Sequence, residues 1–324
     1  MNPPVRTAPW WTPGGQLQTL VPTIVGRYLQ PLAVAWTRER LETPDGDFID
    51  VDWAHRSSAP ESPRLVLFHG LEGSSSSHYV RAFATVAGER GWSFAIPHFR
   101  GCSGALNRAP RAYHAGDSQE VGWLLEALTR GHPGPVFAVG ISLGGNALLR
   151  WAAFASAGEA TDPRVDALCA LSAPLNLAAC GDAIDRGLNQ RIYGAYFLKT
   201  MKEKARQKAA QYPGLFNLRE VEQATTLRAF DHFFTAPLHG FSGVDDYWAR
   251  ASSGPHLRQI GLPSLVVNAL NDPLVPAWSL TPAASCSTWI TLWRPRDGGH
   301  VGFGAEGQCG FARRVLDWLA QAAG

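Results

Sequence analysis

Short apolar runs separated by amphipathic stretches set the rhythm of the chain. Arg64-Leu65-Val66-Leu67-Phe68, Trp92 to Ile96, Val136-Phe137-Ala138-Val139, Val165 to Leu171 and the run at 264–270 are strand-length and apolar on both faces. That is the pattern of strands buried inside a parallel sheet. Between them, 78–90, 116–129 and the stretch 146–151 have helical character, the second placing Trp123, Leu124, Ala127 and Leu128 on one face. Strands alternating with helices predict a mostly parallel central sheet flanked by helices, an α/β architecture. Trp36 to Leu41 and Phe48 to Trp53 flank Pro44-Asp45-Gly46-Asp47, which predicts an antiparallel hairpin at the sheet's edge. Thr288 to Trp293 supplies the last strand, and 305–322 a closing helix with Phe311, Val315, Leu316 and Leu319 inward.

Two stretches depart from this rhythm. Residues 176–261 are helical and more charged, without strong strand runs, so a helical cap is predicted between the sixth and seventh sheet strands, with 36–175 and 262–324 forming the core. Within it, the basic segment from Lys199 to Lys208 reads as a solvated helix face, with a weak membrane-surface contact as the alternative. Residues 1–35 are proline-rich and carry Trp10-Trp11 and Pro13-Gly14-Gly15. They read as an irregular arm packed on the core, with its aromatics buried, and with a role in lining a substrate or lipid-facing surface as the alternative.

Composition narrows the function. A chain of 324 residues that is 45% hydrophobic can bury a large core, and no window approaches a membrane span of uninterrupted apolar residues. A net charge of +2 with scattered basic residues argues against a nucleic-acid surface. The odd cysteine count (Cys102, Cys169, Cys180, Cys286 and Cys309), with no Cys-x-x-Cys pair, suggests neither a disulfide framework nor a zinc site. Prolines 9, 13 and 22 break any signal-peptide core, so a cytoplasmic protein is expected. Asp45, Asp47, Asp50 and Asp52 lack the spacing of a calcium loop, and turn chemistry accounts for them. His69, His78, His98 and His114 lack metal-ligand spacing. No metal and no cofactor is expected.

The chemistry concentrates at Gly140-Ile141-Ser142-Leu143-Gly144. A buried strand, then Gly-x-Ser-x-Gly, then a helix makes a turn so tight that glycines must flank the serine, leaving its hydroxyl exposed. Ser142 is the candidate nucleophile. The strand at 64–68 runs into His69-Gly70-Leu71-Glu72-Gly73, where small residues let the backbone approach a substrate. The Leu71 and Leu143 N–H groups are therefore the candidate oxyanion donors. Downstream, the seventh strand ends in Asn271-Asp272-Pro273, and the last is followed by Asp297-Gly298-Gly299-His300. Serine, acid, histidine is the chain order of a hydrolase triad. Asp272 is preferred to Asp297, which shares the loop of His300, and Asn176 cannot replace a carboxylate.

The chain resembles the YheT-like branch of the α/β-hydrolases. The resemblance rests on Trp10-Trp11 with Pro13-Gly14-Gly15, Leu17-Gln18-Thr19-Leu20, His69 to Ser74, His98 to Gly104, Ser142 to Asn146, Thr235 to Phe241, Asp272-Pro273 and Gly299 to Phe303. Gln16, Asn176 and Asn271 depart from the branch's usual residues. The resemblance implies a serine carboxylesterase or acylglycerol lipase with a Ser142, Asp272, His300 triad and a small-molecule ester or lipid substrate. An acyltransferase would share these residues, and a non-catalytic hydrolase-like binding protein would not need them. The oligomeric state is left open.

Overall fold

Leu65 and Leu67 pack to one side of the central sheet, and Val66 and Phe68 to the other. This alternation across a strand with no polar face is why the run must be covered twice. The computed structural model describes all residues except 1–7, 29–32, 161–162, 305 and 308. Eight strands, β1 (Thr37–Glu42), β2 (Phe48–His55), β3 (Arg64–Phe68), β4 (Ser93–Pro97), β5 (Val136–Ile141), β6 (Ala167–Leu171), β7 (Ser264–Val267) and β8 (Ile290–Trp293), form one sheet. Their order is β1-β2-β4-β3-β5-β6-β7-β8. The pairs β1/β2 and β2/β4 are antiparallel and the rest parallel.

One face is covered by α2 (His78–Glu89) and the last helix, through Val80, Phe83, Val86, Val315, Leu316 and Leu319. The other is covered by α3 (Ser118–Thr129) and α4 (Leu143–Ser156). In α3 the buried face is Val121, Leu124, Leu125 and Leu128, whereas Trp123 is half-buried and Ala127 exposed. The helix starts two residues later than its periodicity suggests, after Gly116, where a Cβ would meet Ala251 Cβ at 2.8 Å. The last helix is Gly310–Ala322; residues 305 and 308, which the sequence adds to it, lie outside the described residues.

The N-terminal arm differs from its expected form. Gly14–Tyr28 is a helix, α1, despite Pro22, while Trp10 and Trp11 are 79% and 55% exposed. The arm docks by backbone approach and polar contacts rather than by its indoles. A Cβ on Gly15 would lie 1.8 Å from Asn271 O, and one on Gly302 would lie 1.7 Å from Gln18 O. Residues 1–7 and 29–32 of the arm lie outside the described residues.

Between β6 and β7 the chain forms α5 (Leu177–Ile184), α6 (Ala195–Gln211) and shorter helices, which share an apolar cluster of their own including Leu198, Val221, Leu227, Phe230 and Phe234. Asn176 is the N-cap of α5, its side chain accepting from Ala179 N–H. The basic stretch of α6 is not uniformly solvated. Lys208 is 2% exposed and its Nζ donates to Asn107 O and Ala109 O, and Lys204 also turns inward. The stretch reads as solvated in sequence because the carbonyls that receive Lys208 lie 101 and 99 residues away and the carboxylate that receives Lys204 lies 132 residues away. Among the described residues, no helix is long and apolar enough to cross a membrane.

Candidate active site

Ser142 sits at the junction of β5 and α4 with φ 51° and ψ −119°. A non-glycine residue there is strained by about 1–3 kcal/mol and persists only where its surroundings over-determine it. They do: Ser142 N–H donates to Leu171 O at 2.8 Å, and its carbonyl accepts from Asn146 N–H at 3.1 Å. Glycine is required beside it, since a Cβ on Gly144 would lie 2.5 Å from Phe68 O and His69 O. Asn146, fully buried, donates to Ala115 O and Ala251 O and accepts from Ser253 N–H, fixing the start of α4 against two loops.

The structure brings the three side chains singled out by the sequence together. His300 Nε2 lies 2.9 Å from Ser142 Oγ, and His300 Nδ1 lies 2.8 Å from Asp272 Oδ2. The second Asp272 oxygen accepts from Leu274 N–H at 2.8 Å and Val275 N–H at 3.1 Å, so the carboxylate is clamped from its own loop. A carboxylate at Nδ1 fixes the proton there and leaves Nε2 free to accept from the serine hydroxyl. Asp297 Oδ1 accepts from Asn271 Nδ2 at 3.2 Å.

Sequence reasoning missed the residues that hold these loops. Buried Gln18 of α1 accepts through Oε1 from Asn271 Nδ2 and Gly298 N–H, both at 2.8 Å, and Thr19 Oγ1 accepts from His300 N–H at 2.8 Å. The arm thus connects the Asp272 loop to the His300 loop. The only signal for it was the Leu17-Gln18-Thr19-Leu20 stretch within the resemblance.

Leu71 and Leu143 line the same cavity as Ser142 and His300. Among the described residues neither N–H donates to a protein acceptor, so both are available to a bound oxygen. The cavity, about 140 Å³, is walled chiefly by apolar side chains such as Leu177, Ile184, Phe197, Phe230 and Phe234. Of the other aromatics between β6 and β7, Tyr196 is 57% exposed, and Tyr193 donates its hydroxyl to Gln16 Oε1 at 2.7 Å.

Other histidines and acids singled out in the sequence meet structural partners. His69 donates from Nδ1 to Gly70 O and accepts at Nε2 from Phe99 N–H, and burial pushes its pKa down to about 3, so it stays neutral. His98 bonds Asp52 at 2.8 Å. Turn chemistry describes Asp45 beside Thr43, but Asp50 and Asp52 lie in β2 and pair with Arg40 and Arg38, while Arg100 bridges Asp47 and Glu120. The alternation of β2 turns these acids onto one side of the sheet edge, where arginines of other segments meet them.

Comparisons with known proteins address the family and the fold. A family model described as "alpha/beta hydrolase fold" matches residues 63–305. YheT of Escherichia coli (strain K12) is 38% identical over 312 residues, covering 94% of this chain and 89% of that protein. Phospholipase ABHD3 of Mus musculus is 28% identical over 89% of this chain and 72% of its own length. The solved esterase Pf2001 of Pyrococcus furiosus superposes with a TM-score of 0.58 at 15% identity, over all of this chain and 98% of that one, a likeness of fold.

Proposed function

The chain belongs to the α/β-hydrolase fold family, in the branch that holds YheT, and from that premise we propose that it is a serine carboxylesterase acting on acyl esters, including acylglycerols. The observation that carries this reading is the continuous Ser142–His300–Asp272 hydrogen-bond chain, 2.9 and 2.8 Å, at the wall of an apolar cavity.

In this reading Ser142 Oγ attacks the ester carbonyl carbon as its proton passes to His300 Nε2. The carbonyl oxygen gains the charge and is held by the Leu71 and Leu143 N–H groups, each worth roughly 10²–10³ in kcat when aimed at the developing oxyanion. Collapse breaks the bond to the alcohol oxygen, which leaves with the proton from Nε2. Water then attacks the acyl-enzyme, losing its proton to His300 Nε2; the bond from the acyl carbon to Ser142 Oγ breaks as Oγ takes that proton back, and the acid departs. Asp272 stabilises the imidazolium and holds the tautomer throughout. Residues 176–261 serve as the cap that walls the acyl side of the cavity, and the phospholipase name of one relative places lipid esters among the substrates to try.

The test is turnover of p-nitrophenyl esters by the full chain beside Ser142→Ala. Wild-type hydrolysis with loss of nearly all activity in the variant supports the reading. Equal rates in the two proteins contradict it.

A further inference from the structure

The loop carrying Leu71 is a tight turn with the wrong residue at its most demanding position. Gly73 N–H donates to Gly70 O at 2.9 Å, which makes Leu71 and Glu72 the central pair of a four-residue turn. Glu72 has φ 56°, the left-handed conformation that such turns reserve for glycine at this place. The turn decides where Leu71 points. Gly70 C=O and Leu71 N–H belong to one planar peptide and face opposite ways. Since Gly70 O is held by Gly73 N–H and His69 Nδ1–H, the Leu71 N–H is left facing away from them.

Glu72 is held in that conformation from outside its own loop. Its N–H donates to Tyr113 Oη at 3.0 Å, and Tyr113 O–H donates back to Glu72 Oε1 at 2.7 Å. Lys204 Nζ of α6 donates to the same Oε1 at 2.7 Å, with the Glu72 side chain 4% exposed. Tyr113 is stacked on Phe99 with centroids 5.4 Å apart, so it is a fixed post, and Lys204 is the strap brought in from the segment between β6 and β7.

We propose that the Lys204–Glu72 ion pair is a positioning device: it holds the Gly70–Gly73 turn in its strained form and so keeps the Leu71 N–H aimed at the substrate oxyanion. The proposal rests on the esterase reading above and deepens it. Lys204 and Glu72 are positioning residues, acting through the Leu71 backbone. The pair also ties formation of the oxyanion site to the seating of α6 on the core, so that a site without its cover lacks one of its two donors.

The test is steady-state kinetics of the full chain on p-nitrophenyl butyrate, with inhibition by a trifluoromethyl ketone, whose serine adduct carries an oxyanion. Lys204→Met is expected to lower kcat roughly 10- to 100-fold, a misaimed donor costing less than the roughly 10²–10³ of one removed outright, with KM changed less than about threefold. The ketone's Ki is expected to rise by the same factor as kcat falls. Lys204→Arg, which can still reach Glu72, recovers most of the loss. Glu72→Gly, which needs no strap to adopt the turn, makes Lys204 dispensable: in that background Lys204→Met changes kcat less than about threefold. Should Lys204→Met not fold, the contrast between Glu72→Gln, which keeps a neutral acceptor, and Glu72→Ala, which keeps none, reads the same quantity. A rise in KM with kcat intact, an unchanged ketone Ki, or an undiminished Lys204→Met effect in the glycine background overturns the proposal. A wild-type protein that hydrolyses no ester overturns it together with the esterase reading, whereas an active wild type matched by Lys204→Met overturns the positioning claim alone.

Discussion

Gln18 accepts the Gly298 N–H at 2.8 Å across 280 residues of chain, and the same oxygen accepts from Asn271 Nδ2. One buried amide of the N-terminal helix therefore registers the loop of the proposed acid against the loop of the proposed base. Removing it leaves buried donors without an acceptor, which costs about 1–3 kcal/mol. Gln18→Ala is expected to lower Tm by several degrees and kcat about tenfold, measured by thermal unfolding and ester hydrolysis. A fall in Tm with kcat unchanged would make the arm a structural clasp only.

The two acids of the neighbouring loops separate cleanly. Asp272→Asn, which removes the carboxylate from Nδ1, is expected to cost about 10⁴ in kcat with little change in fold, because the imidazole is left in the wrong tautomer. Asp297→Asn, whose Oδ1 meets Asn271, is expected to stay within about tenfold of wild type. The opposite ranking in kcat would reassign the acid.

How far the fold was legible depends on what kind of interaction set each part. The parallel strands announced themselves because a strand covered on both faces, such as β3, has no polar side to confuse the reading. Ser142 and His300 were legible because each stands in a glycine-rich turn, where a polar side chain has little core to pack into. Polar residues that act across long sequence separations were not. Apart from the family resemblance of its stretch, no local pattern distinguishes Gln18 from a surface glutamine, and Lys204 lies in a stretch that satisfies every local criterion for a solvated face. Trp10 and Trp11 misled in the opposite direction: their apolar bulk argues for burial, but the close backbone approach at Gly15 and Gly302 docks the arm and leaves the indoles outside.

Acid stability should follow the buried carboxylates. Burial pushes Asp47 upward, but hydrogen bonds from Asn107, Arg108 N–H, Phe48 N–H and Arg100 outweigh it and hold the group at about 2. Its folded value lies below the unfolded value near 4, so its stabilisation is present above pH ~4 and fades as pH falls towards 2. Asp231 runs the other way: burial raises it to about 6, so its ionisation opposes folding as pH climbs from about 4 to 6 and beyond. Asp47→Asn should therefore trail wild type in Tm at pH 7 and approach it near pH 3, while Asp231→Asn should gain on wild type between pH 4 and pH 7. Parallel Tm curves for either variant and wild type would contradict this.

Chain-length preference should follow the cavity wall. Each methylene moved from water into it contributes at most about 0.8 kcal/mol, so kcat/KM is expected to rise from acetyl to medium-chain p-nitrophenyl esters and then level off. Ile184→Trp, which places an indole in that wall, should erase the gain for longer chains and leave acetyl ester hydrolysis nearly intact. A flat profile from acetyl upward in the wild type would remove the acyl-pocket reading.

The central claim is that Ser142 is a nucleophile activated by His300, and covalent labelling addresses it without any assumption about substrate. A fluorophosphonate is incubated with wild type, Ser142→Ala and His300→Ala, and the adduct is located by peptide mass spectrometry. One adduct on Ser142 is expected in the wild type, none in Ser142→Ala, and a rate slowed by several orders of magnitude in His300→Ala. No adduct in the folded wild type, an adduct on another residue, or a rate indifferent to His300 would contradict it.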